Sequence, residues 1–248
     1  MKLIELVDYN ASLLQTHLFK DYSPNGLQVE GRNEITRIAT AVTASKQVLD
    51  VAIDWGADAI LVHHGYFWRN EDACIVGIKK SRLAQLLVND VSLLAYHLPL
   101  DAHVDLGNNA QLGKLLGLAV SCQFGEQNIA WVGYLDVPLT LAQFAERIGI
   151  RLQRLPQVIG RDEQIIRKVA WCSGGAQNYF EAAIRLGVDA YLTGEISECS
   201  YHLAQESGVA YIAAGHHATE RLGIQALGEV LAARFNLDHR FFDQNNPV

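Results

Sequence analysis

The sequence has little of what marks secreted, membrane-spanning or disordered proteins. No apolar run approaches the ~18 residues that a membrane helix needs, and Glu5 and Asp8 interrupt the apolar start where a signal peptide would be uncharged. The cysteines are few and show no paired spacing of the kind that indicates a disulfide framework or a thiolate metal site: Cys74, Cys122, Cys172 and Cys199. We therefore expect a soluble, cytoplasmic protein with reduced thiols.

Basic residues are also in short supply. The chain has 20 Lys and Arg against 27 Asp and Glu, which gives a formal net charge of −7. This balance counts against nucleic acid as the main partner, because phosphate contacts need many basic side chains. Half of the residues are hydrophobic, which excludes a disordered chain and leads us to expect that partner subunits cover part of the surface.

A strand–helix–strand unit is predicted in the first half of the chain. Residues 37–43 form a β-branched strand, residues 45–55 form an amphipathic helix that ends at Gly56, and residues 59–62 form a wholly apolar strand. Residues 37–64 align with residues 168–195 at a constant offset of 131, with 7 identities in 28 positions. The order of elements favours parallel sheets, and the repeat predicts two related α/β lobes.

The first predicted lobe covers residues 1–110 and is completed by residues 221–248, and the second covers residues 111–220. We expect an opening helix over 2–19, strands over 91–96, 129–135 and 209–215, and a helix over 141–148. Asn108 and Asn109 are expected to cap a helix that begins near Ala110, with substrate contact as the alternative. Gly174 and Gly175 are interpreted as a structural turn in preference to a phosphate-binding loop.

Histidines and acids follow three of the predicted strands. His63 and His64 come directly after residues 59–62, His97 follows residues 91–96, and His216 and His217 follow residues 209–215. An acid stands four residues beyond two of them, as Asp101 beyond His97 and as Glu220 beyond His216. Ligands bind outside the carboxyl ends of parallel strands, and imidazoles with carboxylates suit zinc, manganese, iron or similar divalent metals.

The adjacent His63 and His64 could reach two metals about 3.5–4 Å apart that a carboxylate bridges. No Ser-His-Asp or Cys-His set can be assembled, so the expected nucleophile is water activated by the metals, and no catalytic side chain is predicted. His217 either joins the site or points into the protein. Trp68 and Tyr66 are expected either to stack a base or to pack at the interface of the two lobes. His17, His202 and His239 lack such a context and are expected at the surface.

Several long motifs then resemble those of the Nif-three-like family, the GTP cyclohydrolase 1 type 2 homologs. They are the segments 63–68 (HHGYFW), 97–111 (HLPLDAHVDLGNNAQ) and 215–220 (GHHATE), together with 23–31 (SPNGLQVEG) and 193–197 (TGEIS). The likeness runs nearly end to end. It is greatest to the short bacterial members, which lack the central inserted domain of longer relatives.

This resemblance implies two interlocked α/β lobes with a dinuclear metal site between them, in a toroidal homohexamer. The implied ligands of two divalent ions are His63, His64, Asp101, His216 and Glu220, with Glu220 as the bridge, and His97 as a supporting residue or an occasional ligand. The implied activity is hydrolysis of a nucleotide, by GTP ring opening or at a phosphoester. The alternative is a non-catalytic hexameric metal-binding scaffold or regulatory protein, linked to the response to nucleotide or DNA damage.

Overall fold

The computed structural model describes residues 1–248 and has a mixed α/β architecture, which confirms the predicted fold class. Its helices are α1 (Leu3–Leu13), α2 (Lys46–Asp54), α3 (Gly77–Val88), α4 (Leu98–Ala102), α5 (Asn108–Leu116), α6 (Leu141–Leu152), α7 (Phe180–Arg185), α8 (Glu198–Ser207) and α9 (His216–Phe235). Its strands are β1 (Gly26–Val29), β2 (Arg37–Thr43), β3 (Ala59–His64), β4 (Ser92–Ala95), β5 (Leu118–Phe124), β6 (Ala130–Thr140), β7 (Gln157–Ile159), β8 (Ile165–Trp171), β9 (Ala190–Thr193), β10 (Ala210–Ala213) and β11 (Asp238–Phe241).

The chain divides into two compact units, each with its own sheet. The first unit comprises residues 1–106 and 223–245, and the second comprises residues 107–222 and 246–248. Helix α9 therefore begins in the second unit and continues in the first. None of the helices combines the length and the apolarity needed to span a bilayer.

The first unit contains a five-stranded sheet in the order β1-β4-β3-β2-β11. All neighbours pair in parallel except β1, which runs antiparallel to β4. Strand β3 is central and wholly apolar before its histidines because its two faces enter two different cores. Ile60 and Val62 pack with α2 and α3 on one face, whereas Ala59 and Leu61 pack with α1 and α9 on the other.

The second unit contains a six-stranded sheet in the order β5-β6-β8-β9-β10-β7. Only β8, β9 and β10 are parallel, as the repeat predicts, and the other pairs are antiparallel. The predicted parallel pairing therefore holds for the strands of the repeat, and the remaining strands make the sheet a mixed one. Strand β6 joins β5 through a short connection and can pair with it directly, which only antiparallel neighbours can do.

The helix limits follow from their caps. Helix α2 starts after Ser45, whose hydroxyl accepts the Val48 N–H at 3.2 Å, and it ends before Gly56 at φ +84°. Helix α6 starts after Thr140, which exchanges hydrogen bonds with Gln143. The predicted opening helix is too long, because α1 ends at Leu13.

The expected capping role of Asn108 and Asn109 is wrong. Helix α5 already begins at Asn108, after Gly107, and no side chain caps it. Asn109 instead connects two other segments of its own unit. Its amide donates to the Ile129 carbonyl at 2.9 Å and its Oδ1 accepts the Ser173 N–H at 2.8 Å. The residue thus stabilises the backbone near the end of β8.

The sequence repeat is visible in the structure as the same set of carboxylate hydrogen bonds in both units. Asp58 Oδ2 accepts the N–H groups of Thr36 and Arg37 at 2.8 and 3.0 Å. Asp189, at the offset of 131, accepts the N–H groups of Arg167 and Lys168 at 2.8 Å each. In both units the carboxylate thereby holds the start of one strand beside the turn that leads into the next.

Replacing the buried Asp58 by Asn is expected to lower the free energy of unfolding by about 2 kcal/mol at neutral pH, because two backbone donors lose a charged acceptor. Urea unfolding followed by circular dichroism measures the change. The matched control is Asp54→Asn, at an exposed position near the end of α2, which should change stability by less than about 0.5 kcal/mol.

The effect of Asp58→Asn on the free energy of unfolding is expected to depend on pH. Burial alone would raise the pKa of Asp58, but the hydrogen bonds from Thr36 and Arg37 and the charge of Arg32 hold it below its usual value. The contribution of the ionised carboxylate is therefore present at neutral pH and is lost as the pH falls through that lowered pKa. The gap between wild type and Asp58→Asn should close on acidification, and a gap that widens would contradict this account.

Candidate metal centre

His63 is the fully buried residue near the end of β3, and its ring is held by a backbone carbonyl. Its Nδ1 lies 2.9 Å from the Tyr96 carbonyl oxygen. Because a carbonyl can only accept, Nδ1 carries a proton, and in the neutral ring the lone pair is then on Nε2. The Oδ1 of Asp101, on α4, lies 3.5 Å from that Nε2. A lone pair and a carboxylate oxygen that face each other in this way suit a shared cation.

His64, the next residue, has its ring positioned by the neighbouring strand. Its Nδ1 lies 3.2 Å from the Oγ1 of Thr43, its parallel partner on β2. The hydroxyl fixes the plane of the ring and leaves Nε2 at the opposite side for a ligand. The last residues of β3 thus supply two oriented imidazoles.

His97 follows β4 and is held by Asp21. The His97 Nδ1 lies 2.7 Å from Asp21 Oδ1, while Asp21 Oδ2 accepts the Leu98 N–H at 2.9 Å and the amide of Asn25 at 2.8 Å. Burial would raise the pKa of Asp21, but the hydrogen bond and charge of His97, with help from Asn25, lower it to about 2. Asp21 is thus an ionised acceptor that keeps the proton of His97 on Nδ1.

The structure brings these three histidines together because β3 and β4 are parallel neighbours. His63, His64 and His97 each offer a ring nitrogen within 4.8 Å of the others, so this trio could hold a metal ion. Trp68 lies beside them, with ring centroids 5.0 Å from His97 and 6.0 Å from His64. Its indole N–H donates to the Gly65 carbonyl at 3.1 Å, which fixes the ring.

The second unit contains a cluster around His216, the first residue of α9. The Nε2 of His216 lies 3.2 Å from Glu220 Oε2, and its Nδ1 lies 2.7 Å from Glu195 Oε1. Burial would lower the pKa of His216, but the hydrogen bonds and charges of Glu220 and Glu195 raise it to about 9. Glu195 thus holds the Nδ1 proton, and Nε2 faces the buried Glu220 carboxylate.

The Gly174-Gly175 turn approaches this second cluster closely. Gly174 has φ +66°, and a Cβ atom there would collide with the Glu220 carboxylate. Its N–H donates to the Thr219 hydroxyl at 2.9 Å, and its carbonyl accepts the Gly194 N–H at 2.8 Å. The glycine is required by close packing next to Glu220, in accord with its interpretation as a structural turn.

The two spacings of histidine and acid by four residues have different outcomes. His216 and Glu220 lie on one helix, where residues four apart are neighbours. His97 instead precedes α4 with non-helical backbone angles, so it contacts Asp21, while Asp101 faces His63. A separation of four residues therefore brings the two side chains together only where both residues lie within the same helix.

The remaining histidines have ordinary structural roles or surroundings. His103 Nδ1 accepts the N–H groups of Asp105 and Leu106 at 3.2 and 3.0 Å, which closes the turn before α5. His217 is buried. His17 and His202 are exposed, as expected. The expectation for His239 is wrong, since it is half-buried and its Nε2 lies 2.8 Å from the Thr40 hydroxyl.

Sequence reasoning missed the two carboxylates that orient histidines, Asp21 and Glu195. Asp21 stands in a turn far from any histidine in the sequence, and no spacing rule connects it with His97. Glu195 had a usable signal, because the offset of 131 aligns it with His64. Equivalent positions after equivalent strands therefore carry an imidazole in one unit and a carboxylate in the other.

The sheets and the oriented histidines define an α/β protein with residue groups suited to a divalent metal. The chain belongs to the DUF34/NIF3 family (NGG1p interacting factor 3), whose model matches residues 1–247. A relative from Neisseria meningitidis serogroup A, called a GTP cyclohydrolase 1 type 2 homolog, is 58% identical over 235 residues, which cover 95% of this chain and 94% of that protein. The resemblance seen in the sequence motifs is thereby confirmed.

Solved structures show the same fold. The protein ybgI, described as of unknown function, is 47% identical and superposes with a TM-score of 0.96 over 100% of both chains. The protein TTHA1606 from Thermus thermophilus is 34% identical, with a TM-score of 0.91 over 100% of both chains. The fold is therefore shared across the whole length of the chain.

Replacing Glu195 by Gln is expected to weaken binding of Mn²⁺ or Zn²⁺ by roughly 10- to 100-fold, because residues that orient a metal-binding imidazole contribute that much. Isothermal titration calorimetry measures the affinity. The matched control is Glu198→Gln, since Glu198 pairs with His202 at 2.9 Å in an exposed i,i+4 pair. Equal affinities of the two variants would rule out an orienting role for Glu195.

Proposed function

We propose that the protein is a dinuclear metal-dependent hydrolase that acts on a nucleotide. The observation that carries the proposal is the buried His63, whose proton is held on Nδ1 by a carbonyl while Nε2 faces a carboxylate oxygen. A divalent cation between this ring nitrogen and the carboxylate oxygen would be bound by both, since imidazole nitrogens and carboxylate oxygens are common metal ligands. The names of the relatives supply the nucleotide part of the proposal.

The proposed ligand set combines both clusters. His63, His64 and Asp101 would come from the first unit, and His216 and Glu220 from the second, with Glu220 as the bridge. Support comes from the chemistry of the donors, since imidazoles and carboxylates without thiolates suit Zn²⁺, Mn²⁺ or Fe²⁺. His97, which belongs to the His63 trio, is proposed as a supporting or occasional ligand.

Two such ions would lower the pKa of a water that they share and polarise the bond under attack. The side chains of the protein would bind and orient, and none is proposed as a nucleophile. Thr43, Asp21, Glu195 and the Tyr96 carbonyl hold the imidazole rings, so that little reorganisation is needed when a substrate arrives. Trp68, fixed beside His97, offers an aromatic ring for a planar base.

Hydrolysis of either of two kinds of bond in a nucleotide is compatible with these metal-binding residues. The name of the relatives points to opening of the guanine ring of GTP, in which water attacks C8 and formate is released. Phosphoester hydrolysis of a nucleotide would use the same donors. The four free thiols accord with the cytoplasm as the proposed location.

The second candidate is a non-catalytic hexameric metal-binding scaffold or regulatory protein, linked to the response to nucleotide or DNA damage. The observation that favours an oligomer is the exposure of large apolar side chains in both units. Val88 is 84% exposed, Leu155 is 87% exposed and Ile78 is 72% exposed. A toroidal hexamer would cover such positions, because subunit interfaces bury apolar surface.

Wild-type protein dialysed against Mn²⁺ or Zn²⁺ is expected to retain two ions per chain, and His63→Ala and Glu220→Ala to retain fewer. Elemental analysis after gel filtration measures the content. His202→Ala is the control, because His202 is an exposed histidine that pairs only with Glu198 on its own helix. Wild-type protein that retains no metal would overturn the metal proposal.

With metal added back, wild type is expected to turn over GTP or another nucleotide, and the two variants to lose at least about a hundredfold in rate, since both remove a metal ligand. Formate release reports ring opening, and phosphate or nucleotide products separated by chromatography report phosphoester hydrolysis. If wild type retains two ions but shows the same negligible rates as the variants on GTP, other nucleotides and phosphodiesters, the scaffold candidate replaces the hydrolase.

A further inference from the structure

A cavity of about 470 Å³ lies in the second unit next to the His216 cluster. It is lined by Arg154, Gln157, Gly194, Glu195, Ala213 and Pro247, among others. Small-molecule sites in proteins span about 300–1,000 Å³, so the cavity is large enough for several phosphate groups or a nucleotide portion. Because Glu195 belongs both to its wall and to the His216 cluster, a ligand in the cavity would lie beside the candidate metal residues of this unit.

Arg154 is the basic side chain of this cavity, and no carboxylate neutralises it. One guanidinium nitrogen, Nη2, donates to the Pro247 carbonyl at 2.5 Å. Glu195 does not compensate the charge, because its Oε1 contacts His216 Nδ1 and its Oε2 accepts the Gln177 amide at 3.3 Å. A guanidinium has five N–H donors, so most of them remain for a ligand. An unneutralised arginine at a cavity wall favours an anion.

The position of the Arg154 side chain depends on a glycine in the neighbouring backbone. Its side chain crosses Gly215, where an added Cβ would lie 2.7 Å from Cδ and Nε and 2.9 Å from Cζ. Gly215 also has φ +100°, a conformation that favours glycine. The residue directly before His216 is therefore a glycine that lets the guanidinium lie over the start of α9. Arg154 thus differs from the exposed arginines of the same unit, such as Arg151, because its side chain packs against this glycine.

We propose that the Arg154 cavity binds the phosphate groups of the nucleotide that the neighbouring metal residues act on. The guanidinium would donate two parallel hydrogen bonds to phosphate oxygens, and the Gln157 amide on β7 would supply a further donor. The inference takes the nucleotide from the proposed function and adds the place where its charged end is held. It makes Arg154 the residue that separates nucleotides from nucleosides.

The test is calorimetric binding to protein freed of metal by chelation and gel filtration. Wild type is expected to bind inorganic tripolyphosphate and GTP, and to bind guanosine much more weakly. Arg154→Gln should weaken tripolyphosphate binding by at least about tenfold, and Arg154→Lys by less, since lysine keeps the charge without the fork. The matched control Arg151→Gln removes an exposed arginine three residues earlier and should bind as wild type does.

Thermal unfolding shows whether Arg154→Gln is folded. If it is not folded, the tripolyphosphate affinities of Arg154→Lys and Gln157→Ala test the inference instead. Gln157 is exposed, so its truncation leaves the fold intact. Wild type that binds no tripolyphosphate at about 1 mM, a free energy near −4.1 kcal/mol, would overturn the inference. So would equal affinity of wild type and folded Arg154→Gln, or a preference for citrate over tripolyphosphate, which would make the ligand a carboxylate.

These measurements need neither metal nor turnover, so the two proposals can fail separately. Tripolyphosphate binding that depends on Arg154, in a protein that hydrolyses no nucleotide, would refute the hydrolase and leave the phosphate site in place. Nucleotide hydrolysis with a KM that Arg154→Gln leaves unchanged would support the hydrolase and refute the phosphate site. A KM that rises more than about tenfold for GTP at nearly constant kcat would support both.

Discussion

The candidate metal centre depends on what lies at the Nδ1 atoms of its histidines. A backbone carbonyl, a hydroxyl and two carboxylates lie at the Nδ1 atoms of His63, His64, His97 and His216, respectively. Where Nδ1 donates its proton to such a group, Nε2 is the atom left to bind a metal, and a protonated ring such as that of His216 must first lose its Nε2 proton. All four groups lie at least 21 residues away in the sequence from the ring that they contact. The correct tautomer is therefore a property of the folded unit and not of the motif.

The sheets make these contacts available. Tyr96 can present its carbonyl to His63 because β3 and β4 are parallel and in register, with the Tyr96 N–H donating to the Val62 carbonyl at 2.9 Å. The same register brings His97 beside His63. In the second unit the corresponding contact runs from the Ala214 N–H to the Thr193 carbonyl at 2.8 Å, directly before Gly215 and His216. A one-residue shift in either pair would turn the side chains at the strand ends to the opposite face of the sheet.

Much of this could be predicted from the sequence. The strand over 37–43, the helix up to Gly56 and the histidines after buried strands follow from local composition, because apolar runs and caps determine short elements. The antiparallel strands of the second sheet, the true start of α5 and the half-buried His239 could not be read in this way, since each depends on tertiary contacts. The contacts of Asp21 with His97 and of Glu195 with His216 could not be predicted for the same reason. His97 shows the limit most clearly, because its ring is held by Asp21, a residue 76 positions earlier that no sequence pattern connects with it.

The carboxylates of Asp58 and Asp189 have a consequence for which positions of the two halves can differ. Both capture two successive backbone N–H groups at the same distance along the chain, although most side chains around them differ. Position 64 and its counterpart 195, by contrast, carry an imidazole and a carboxylate. The side chains that fix the fold thus precede the strands β3 and β9, whereas the side chains that could bind a metal follow their apolar residues. Residues at one end of a strand can therefore change without disturbing the contacts that hold the other end.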